Sequence, residues 1–255
     1  MNITILGSGT STGIPMVGCH CAVCSSDDPK DKRTRASILV EHNGFNLLVD
    51  TSTDLRHQAL RARIPRIDAV LLTHHHADHV NGIDDLRGFH FHHKEVIPCY
   101  GSPETLEVVT DRFAYIFRGR EVGGYAPLLE SHEVTEPFEL FGLPVAPIPL
   151  LHGAITSTGY RFGDMAYLSD CSGVPPEAVP LLGGLRLLVI DALRYSPHPY
   201  HLNIEGALRV VEELQPARTL LTHLTHEVAH RDEDRLPAGV TFAYDGQVVT
   251  LVDSD

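Results

Sequence analysis

Apolar positions fall along this chain in short bursts separated by Gly, Asn, Asp and Pro, the rhythm of strands and turns. Residues 3–6 read as a short buried strand that runs into a Gly/Ser/Thr loop at 7–13. Residues 37–40 and 45–49 flank His42-Asn43-Gly44 and predict a β-hairpin with an Asn-Gly turn. An apolar strand over 69–72 stops at a run of histidines. Strands are expected at 138–140 and 145–148 around Gly142, and at 158–162 and 165–168 around Gly163-Asp164. Further apolar strands follow at 185–190 and 218–221, and 241–242 with 248–252 is expected to close the chain as another hairpin. Helices are predicted over 54–63, 103–112 and 204–214, the last with one apolar face. Strands with helices interspersed in both halves predict an α+β protein in which sheet packs on sheet and helices lie outside. No solenoid-type repeat is visible.

Composition narrows this picture. A length of 255 residues fits one domain over 1–255, and 43% hydrophobic with 21% charged residues supports a sizeable core. The formal net charge of −13 weighs against a general nucleic-acid binder. It leaves an anionic substrate open, because bound metal ions reverse charge locally. The N-terminus, Met1-Asn2-Ile3-Thr4-Ile5-Leu6-Gly7, carries no basic stretch ahead of a long apolar one, so a cytoplasmic protein is expected. No apolar run approaches the roughly 18 residues of a membrane span, so no membrane partner is expected. A homodimer is one option for assembly.

The chemistry sits in His74-His75-His76-Ala77-Asp78-His79, directly after the strand over 69–72. On extended chain His74 and His76 project the same way, while His75 points away and reads as structural. Asp78 and His79 follow where the chain begins to curl and can serve a second centre. Imidazole with carboxylate suits zinc, manganese, iron or nickel.

His-x-His-x-Asp-His after an apolar strand resembles the metallo-β-lactamase superfamily. The resemblance implies a four-layer αββα sandwich and supplies the rest of a ligand set. A third histidine is expected at a strand end, where His152 stands in Leu150-Leu151-His152-Gly153. A bridging aspartate matches Asp170 after Tyr167-Leu168-Ser169, and a late histidine matches His223 after Leu220-Leu221-Thr222. The implied division gives His74, His76 and His152 to one divalent metal, and Asp78, His79 and His223 to another, with Asp170 bridging. Two such ions, manganese or zinc, would share a hydroxide that attacks the substrate.

A second constellation is Cys19-His20-Cys21-Ala22-Val23-Cys24. Three thiolates in a loop at 19–24 want a fourth ligand for tetrahedral zinc. His226 is the candidate, with His20 the local alternative. Four protein ligands would leave no open position, so this zinc would be structural. Cys99 reads as a core residue, and Cys171, after Asp170, as a neighbour of the site without a role in it. Joined to the histidine pattern, the cysteine loop resembles the PhnP-type phosphodiesterases, which act on phosphoribosyl 1,2-cyclic phosphate. That resemblance implies hydrolysis of a small phosphodiester. It also implies a histidine on the loop before a late helix as proton donor: His201, with His198 as competitor.

The remaining features carry less. Gly7 to Gly13 loosely resembles a nucleotide loop, but Pro15 and the cysteines follow instead of a helix. It reads instead as a loop that lets the backbone pass close to the metal site. His90, His92 and His93 read as a solvated face, Asp84 and Asp85 as helix-start residues, and Arg35 and Arg194 as candidate phosphate clamps. The stretch 112–129 is longer than a compact phosphoribosyl enzyme needs and is a candidate lid. On the same metal site a tRNA-processing nuclease or a thioester or lactone hydrolase are the enzymatic alternatives, and a metal sensor is the non-enzymatic one.

Overall fold

A computed structural model describes residues 1–117 and 129–252. Its strands in chain order are β1 (Asn2–Gly7), β2 (Ser37–His42), β3 (Phe45–Val49), β4 (Ala69–Leu71), β5 (Ile97–Gly101), β6 (Leu129–Glu133) and β7 (Phe138–Leu140). They continue with β8 (Leu143–His152), β9 (Ile155–Phe162), β10 (Met165–Leu168), β11 (Leu187–Asp191), β12 (Thr219–Thr222), β13 (Val240–Phe242) and β14 (Val248–Thr250). The α-helices are α1 (Leu55–Ala62), α2 (Ala77–Val80), α3 (Arg87–His93), α4 (Pro103–Arg112), α5 (Ala114–Phe117) and α6 (Ile204–Leu214).

Among the described residues the strands form two seven-stranded sheets, β14-β1-β2-β3-β4-β5-β6 and β13-β12-β11-β10-β9-β8-β7. Strand alternation sorts the apolar residues into three layers of core. Ile38, Val40, Leu47 and Val49 of the first sheet face Tyr160, Phe162, Tyr167 and Val189 of the second. The alternate residues Leu39, Leu48 and Val70 point outward and pack with Leu55 of α1 and Leu106 and Val109 of α4. On the other side Leu188, Ile190 and Leu221 pack with Ile204, Ala207 and Leu214 of α6. Strands buried on both faces need continuous apolar runs, which is why 69–72 and 185–190 show no polar alternation. Each fully buried Leu, Ile, Val or Phe contributes about 1.5–3 kcal/mol. The result is the expected αββα sandwich.

Local signals fix the helix ends. Ser102 accepts from the Thr105 N–H at 3.2 Å, ahead of Pro103 at the first position of α4. Asn203 accepts from the Gly206 N–H at 2.9 Å to cap α6. Asp54 precedes α1 but makes no cap; its carboxylate takes the Arg35 guanidinium instead, at 3.0 Å.

The chain ends differently from expectation. Residues 241–242 and 248–252 do not form a hairpin: β13 runs parallel to β12 in the second sheet, and β14 runs antiparallel to β1 in the first. Asp245 in the connection accepts from Ser8 N–H at 2.9 Å and Thr34 N–H at 2.9 Å, which draws the chain across to the first sheet. Strands β5 and β6 were not predicted, and β8 is longer than the expected 145–148. Of the proposed lid at 112–129, residues 118–128 lie outside the described residues; Arg112 ends α4 and Leu129 begins β6. Among the described residues no helix is long and apolar enough to cross a membrane.

Candidate active site

Strand C-termini deliver the site. The histidine run leaves β4, His152 ends β8, Asp170 follows β10, Asp191 ends β11 and His223 follows β12. Neighbouring strands end at one edge of the sandwich, so residues far apart in sequence meet there. Asp50, Asp170 and His223 all have left-handed backbones, with φ of 64°, 51° and 60°. Non-glycine residues rarely adopt this conformation, and it turns each side chain at a strand end.

Two donor clusters result. His74 Nε2 lies 3.0 Å from His76 Nδ1, and His152 Nε2 lies 3.3 Å from the same atom. In the second cluster His79 Nε2 lies 3.3 Å from Asp78 Oδ2 and 3.2 Å from Asp170 Oδ1. His223 Nε2 lies 3.3 Å from Asp170 Oδ1 and 4.0 Å from Asp78 Oδ2. Asp170 spans the two: its Oδ1 serves the second cluster and its Oδ2 stands 3.8 Å from His74 Nε2 of the first. All seven residues named from the sequence are therefore brought together.

The donor set fits cations. The buried Asp50 carboxylate accepts from His79 Nδ1–H at 2.7 Å, which leaves Nε2 as a lone pair aimed at two carboxylates. That nitrogen is buried without a hydrogen-bond partner, as is His223 Nε2. A lone pair facing carboxylate oxygens is unfavourable unless positive charge lies between them. The titration shifts express the same demand. Burial opposes charge on His79, yet Asp170, Asp78 and Asp50 raise its pKa well above the ordinary value. Burial likewise opposes charge on His223, but Asp170 and Asp78 lift it to about 9. Burial would raise Asp170, and the His223 and His79 imidazoles hold it well below the carboxylate range. His74 is pushed well down by burial and then by His79.

Around this centre the sequence-level assignments separate. His201 Nδ1 donates to Asp191 Oδ2 at 2.8 Å, and its ring stacks on His223 with centroids 4.8 Å apart. It lines the pocket over the clusters together with His76, Asp78, His152, Asp170 and His223. His198 is not among the lining residues, and its Nδ1 accepts from the Tyr200 N–H at 3.2 Å. His75 has its carbonyl held by Arg112 Nη1 at 2.9 Å, which anchors the histidine run to the end of α4. Arg35 and Arg194 are engaged elsewhere, with Asp54 and with Glu227. Ser11 places the loop 7–13 against the pocket, and Thr10 N–H donates to Leu224 O at 3.2 Å beside His223. His90, His92 and His93 lie in the last turn of α3, and Asp84 and Asp85 in the turn before it. Cys99 and Cys171 are fully buried.

Two functional carboxylates escape sequence reasoning. Asp50 holds His79 and also accepts from Thr73 N–H at 2.8 Å. Asp191 holds His201 and accepts from Cys171 N–H at 2.9 Å. Each ends an apolar strand, the one signal that marks both.

The helix that carries Asp78 and His79 is pinned through Gly82, whose N–H donates to Thr51 O at 2.9 Å. A Cβ at this position would meet Ser52 O at 1.9 Å and Leu55 Cβ at 2.9 Å. Gly82→Ala should therefore cost about 1–3 kcal/mol through overpacking. Calorimetry should show this as a lower unfolding midpoint, and an unchanged midpoint would contradict the packing described.

The cysteine cluster closes separately. His226 Nδ1 lies 3.2 Å from Cys19 Sγ, 3.4 Å from Cys21 Sγ and 3.7 Å from Cys24 Sγ. His20 is exposed. The Cys24 N–H holds the Cys21 thiol down at about 6, while burial pushes Cys24 up to about 11.

Two facing sheets with paired histidine–carboxylate clusters at their edge have the arrangement of a metal-dependent hydrolase domain. The chain belongs to the beta-lactamase superfamily: the family described as "Beta-lactamase superfamily domain" fits residues 45–224. It is 42% identical over 252 residues to a protein of Porphyromonas gingivalis named octanoyltransferase, covering 96% of this chain and 51% of that one. The chain thus spans about half the length of that relative. It is 37% identical over 226 residues to coenzyme PQQ synthesis protein B of Methylorubrum populi, covering 75% of this chain and 72% of that protein. Among solved structures it resembles a diphosphatase from the PhnP family at 41% identity and a TM-score of 0.92, with 98% of each chain covered.

Proposed function

We propose that this chain is a two-metal phosphodiesterase acting on a small phosphodiester, with phosphoribosyl 1,2-cyclic phosphate as the example nearest to its family pattern. The observation that carries the reading is Asp170, with one oxygen toward each donor cluster. The likeness to a PhnP-family diphosphatase directs it to phosphate esters. His74, His76 and His152 hold one ion; Asp78, His79 and His223 hold the other; Asp170 is shared. Histidine and carboxylate donors suit zinc or manganese. When bound, such a pair supplies Lewis acidity that activates water near neutral pH and offsets charge on the phosphoryl oxygens. Cys19, Cys21, Cys24 and His226 hold a third, structural zinc. The functional unit is the whole domain 1–255.

The chain's own residues then divide the work. Asp170 and Asp78 set the charge of the centre, and Asp50 orients His79. As the oxygen of a water that has given up a proton to solvent bonds to phosphorus, the bond from phosphorus to the leaving oxygen breaks. His201, its Nδ1 committed to Asp191, presents Nε2 to the pocket and passes a proton to the departing alkoxide. General acid help of this kind is worth about 10²–10⁴-fold.

His201→Ala should keep its full metal content yet slow an alkyl phosphodiester by that factor, while an activated aryl ester, which leaves without a proton, slows much less. Equal losses on both esters would remove His201 from the acid role. The broader reading is tested by turnover of metal-loaded protein on cyclic and linear phosphodiesters, a pre-tRNA and a lactone, with metals counted. Small phosphodiesters should be hydrolysed best, and turnover confined to the lactone would overturn it.

A further inference from the structure

The pocket over the clusters has a second wall. Its volume is about 360 Å³, at the lower end of small-molecule sites. Besides the proposed metal ligands and His201 it is lined by Ser11, Gly153, Ala154, Ile155 and Tyr200. Among the described residues the lining holds no Lys or Arg. The nearby arginines are occupied: Arg35 Nε donates to Ser11 O at 3.0 Å, Arg112 to His75 O and Arg194 to Glu227. A second phosphate on the substrate would find no side-chain cation among these residues. An uncharged arm meets a surface of matching character.

Tyr200 dominates that wall and is 53% exposed. Its backbone is fixed on both sides: its N–H donates to His198 Nδ1 at 3.2 Å, and its carbonyl accepts from His152 Nδ1–H at 2.9 Å. Its ring rests on Gly153, where a Cβ would stand 2.4 Å from Tyr200 Cδ1 and 2.8 Å from Cε1. Gly153 also has φ of +62°, so both backbone and space require glycine there. The His198 ring meets Tyr200 edge-on at 5.8 Å. Among the described residues the Tyr200 hydroxyl has no hydrogen-bond partner, so the ring itself is what this residue presents. A large aromatic ring, held in place yet half open at the mouth of a reactive pocket, is a stacking surface.

We propose that Tyr200 is a stacking platform for a nucleobase on the non-reacting arm of the substrate, so that the small phosphodiester is a nucleoside phosphate ester in place of the phosphoribosyl example that the family pattern offers. This deepens the phosphodiesterase reading and rests on it for the reacting phosphate only.

The test is equilibrium binding of AMP and of ribose 5-phosphate to the metal-loaded protein by calorimetry. The two share a phosphate and a ribose and differ in the base. AMP should bind roughly tenfold tighter or more, the scale of one stacked base. Tyr200→Phe should keep that ratio and Tyr200→Ala should bring it close to one. Gly153→Ala, which displaces the ring, should lower it as well. Equal binding of AMP and ribose 5-phosphate to the unaltered protein overturns the platform, whatever the variants do. A base preference that survives Tyr200→Ala also overturns it. Turnover of adenosine 5′-methylphosphate is scored separately. A base preference in binding without turnover leaves the platform standing and counts against the phosphodiesterase reading.

Discussion

Asp170→Asn is expected to lose bound metal and turnover together, with turnover falling by roughly 10³-fold or more. The substitution keeps the size of the side chain and one oxygen, and removes the charge that both clusters share. Asp170 Oδ1 sits 3.2 Å from His79 Nε2 and 3.3 Å from His223 Nε2, with Oδ2 3.8 Å from His74 Nε2. Among the described residues no other carboxylate reaches both groups, since Asp78 belongs to the second alone. Charge stabilisation by a metal is worth several kcal/mol, and each 1.36 kcal/mol is tenfold in rate, which sets the magnitude. Metal analysis and steady-state kinetics on the same preparation check it. A protein with two active-site metals and wild-type turnover would remove Asp170 from the bridging position. Loss of folding is excluded by the unfolding midpoint, because a buried amide costs less to hold in place than a buried carboxylate.

Much of this site could be read from the chain because its densest part is local. His74, His76, Asp78 and His79 lie within six positions after one strand, so spacing and strand geometry were enough to group them. His152, Asp170 and His223 are separated by long stretches and were reached only through the order of apolar strands that the family resemblance supplied. Asp50 and Asp191 were not reached. Their roles depend on which histidine stands behind which strand end: Asp50 meets His79 across 29 positions and Asp191 meets His201 across 10. A buried carboxylate at a strand end looks the same in sequence as a turn-forming one.

The fold shows the same division. Hairpins with Asn-Gly or Gly-Asp turns were legible because the turn chemistry is local. The same logic predicts a hairpin for the last two strands, yet they join different sheets. Period-two patterning reports which face of a strand is buried and says nothing about which neighbour it takes. Here the decision lies with Asp245, whose carboxylate binds Ser8 and Thr34 more than two hundred residues away. Tyr200 is a further case. In sequence it is one aromatic before His201; only the glycine at 153, beneath its ring, shows that its position is built.

Cys21→Ser should release one zinc per chain and lower the unfolding midpoint by about 10 °C. The loop at 19–24 has little else to hold it. Its apolar support is the small cluster of Ile14, Val23, Cys24 and Ala229, set apart from the three main cores. Three sulfurs around His226 Nδ1, at 3.2, 3.4 and 3.7 Å, are the stronger tether. The Cys24 N–H draws the Cys21 thiol down to about 6, toward the thiolate that a zinc ligand must be, and serine offers no comparable anion. Structural zinc sites contribute their binding energy to folding. A loss of several kcal/mol shifts the midpoint by about 2–4 °C per kcal/mol in a protein of this size. The effect should reach the active site through three residues of chain. Leu224 follows His223 and pairs with the N-terminal loop through Ser8 O at 3.0 Å and Thr10 N–H at 3.2 Å. Loosening that junction frees His223, so turnover should fall as well, by less than in Asp170→Asn, with two active-site metals retained. Zinc counting against a thermal melt separates the cases: an unchanged zinc count with an unchanged midpoint would make the cysteine loop an ordinary reduced loop.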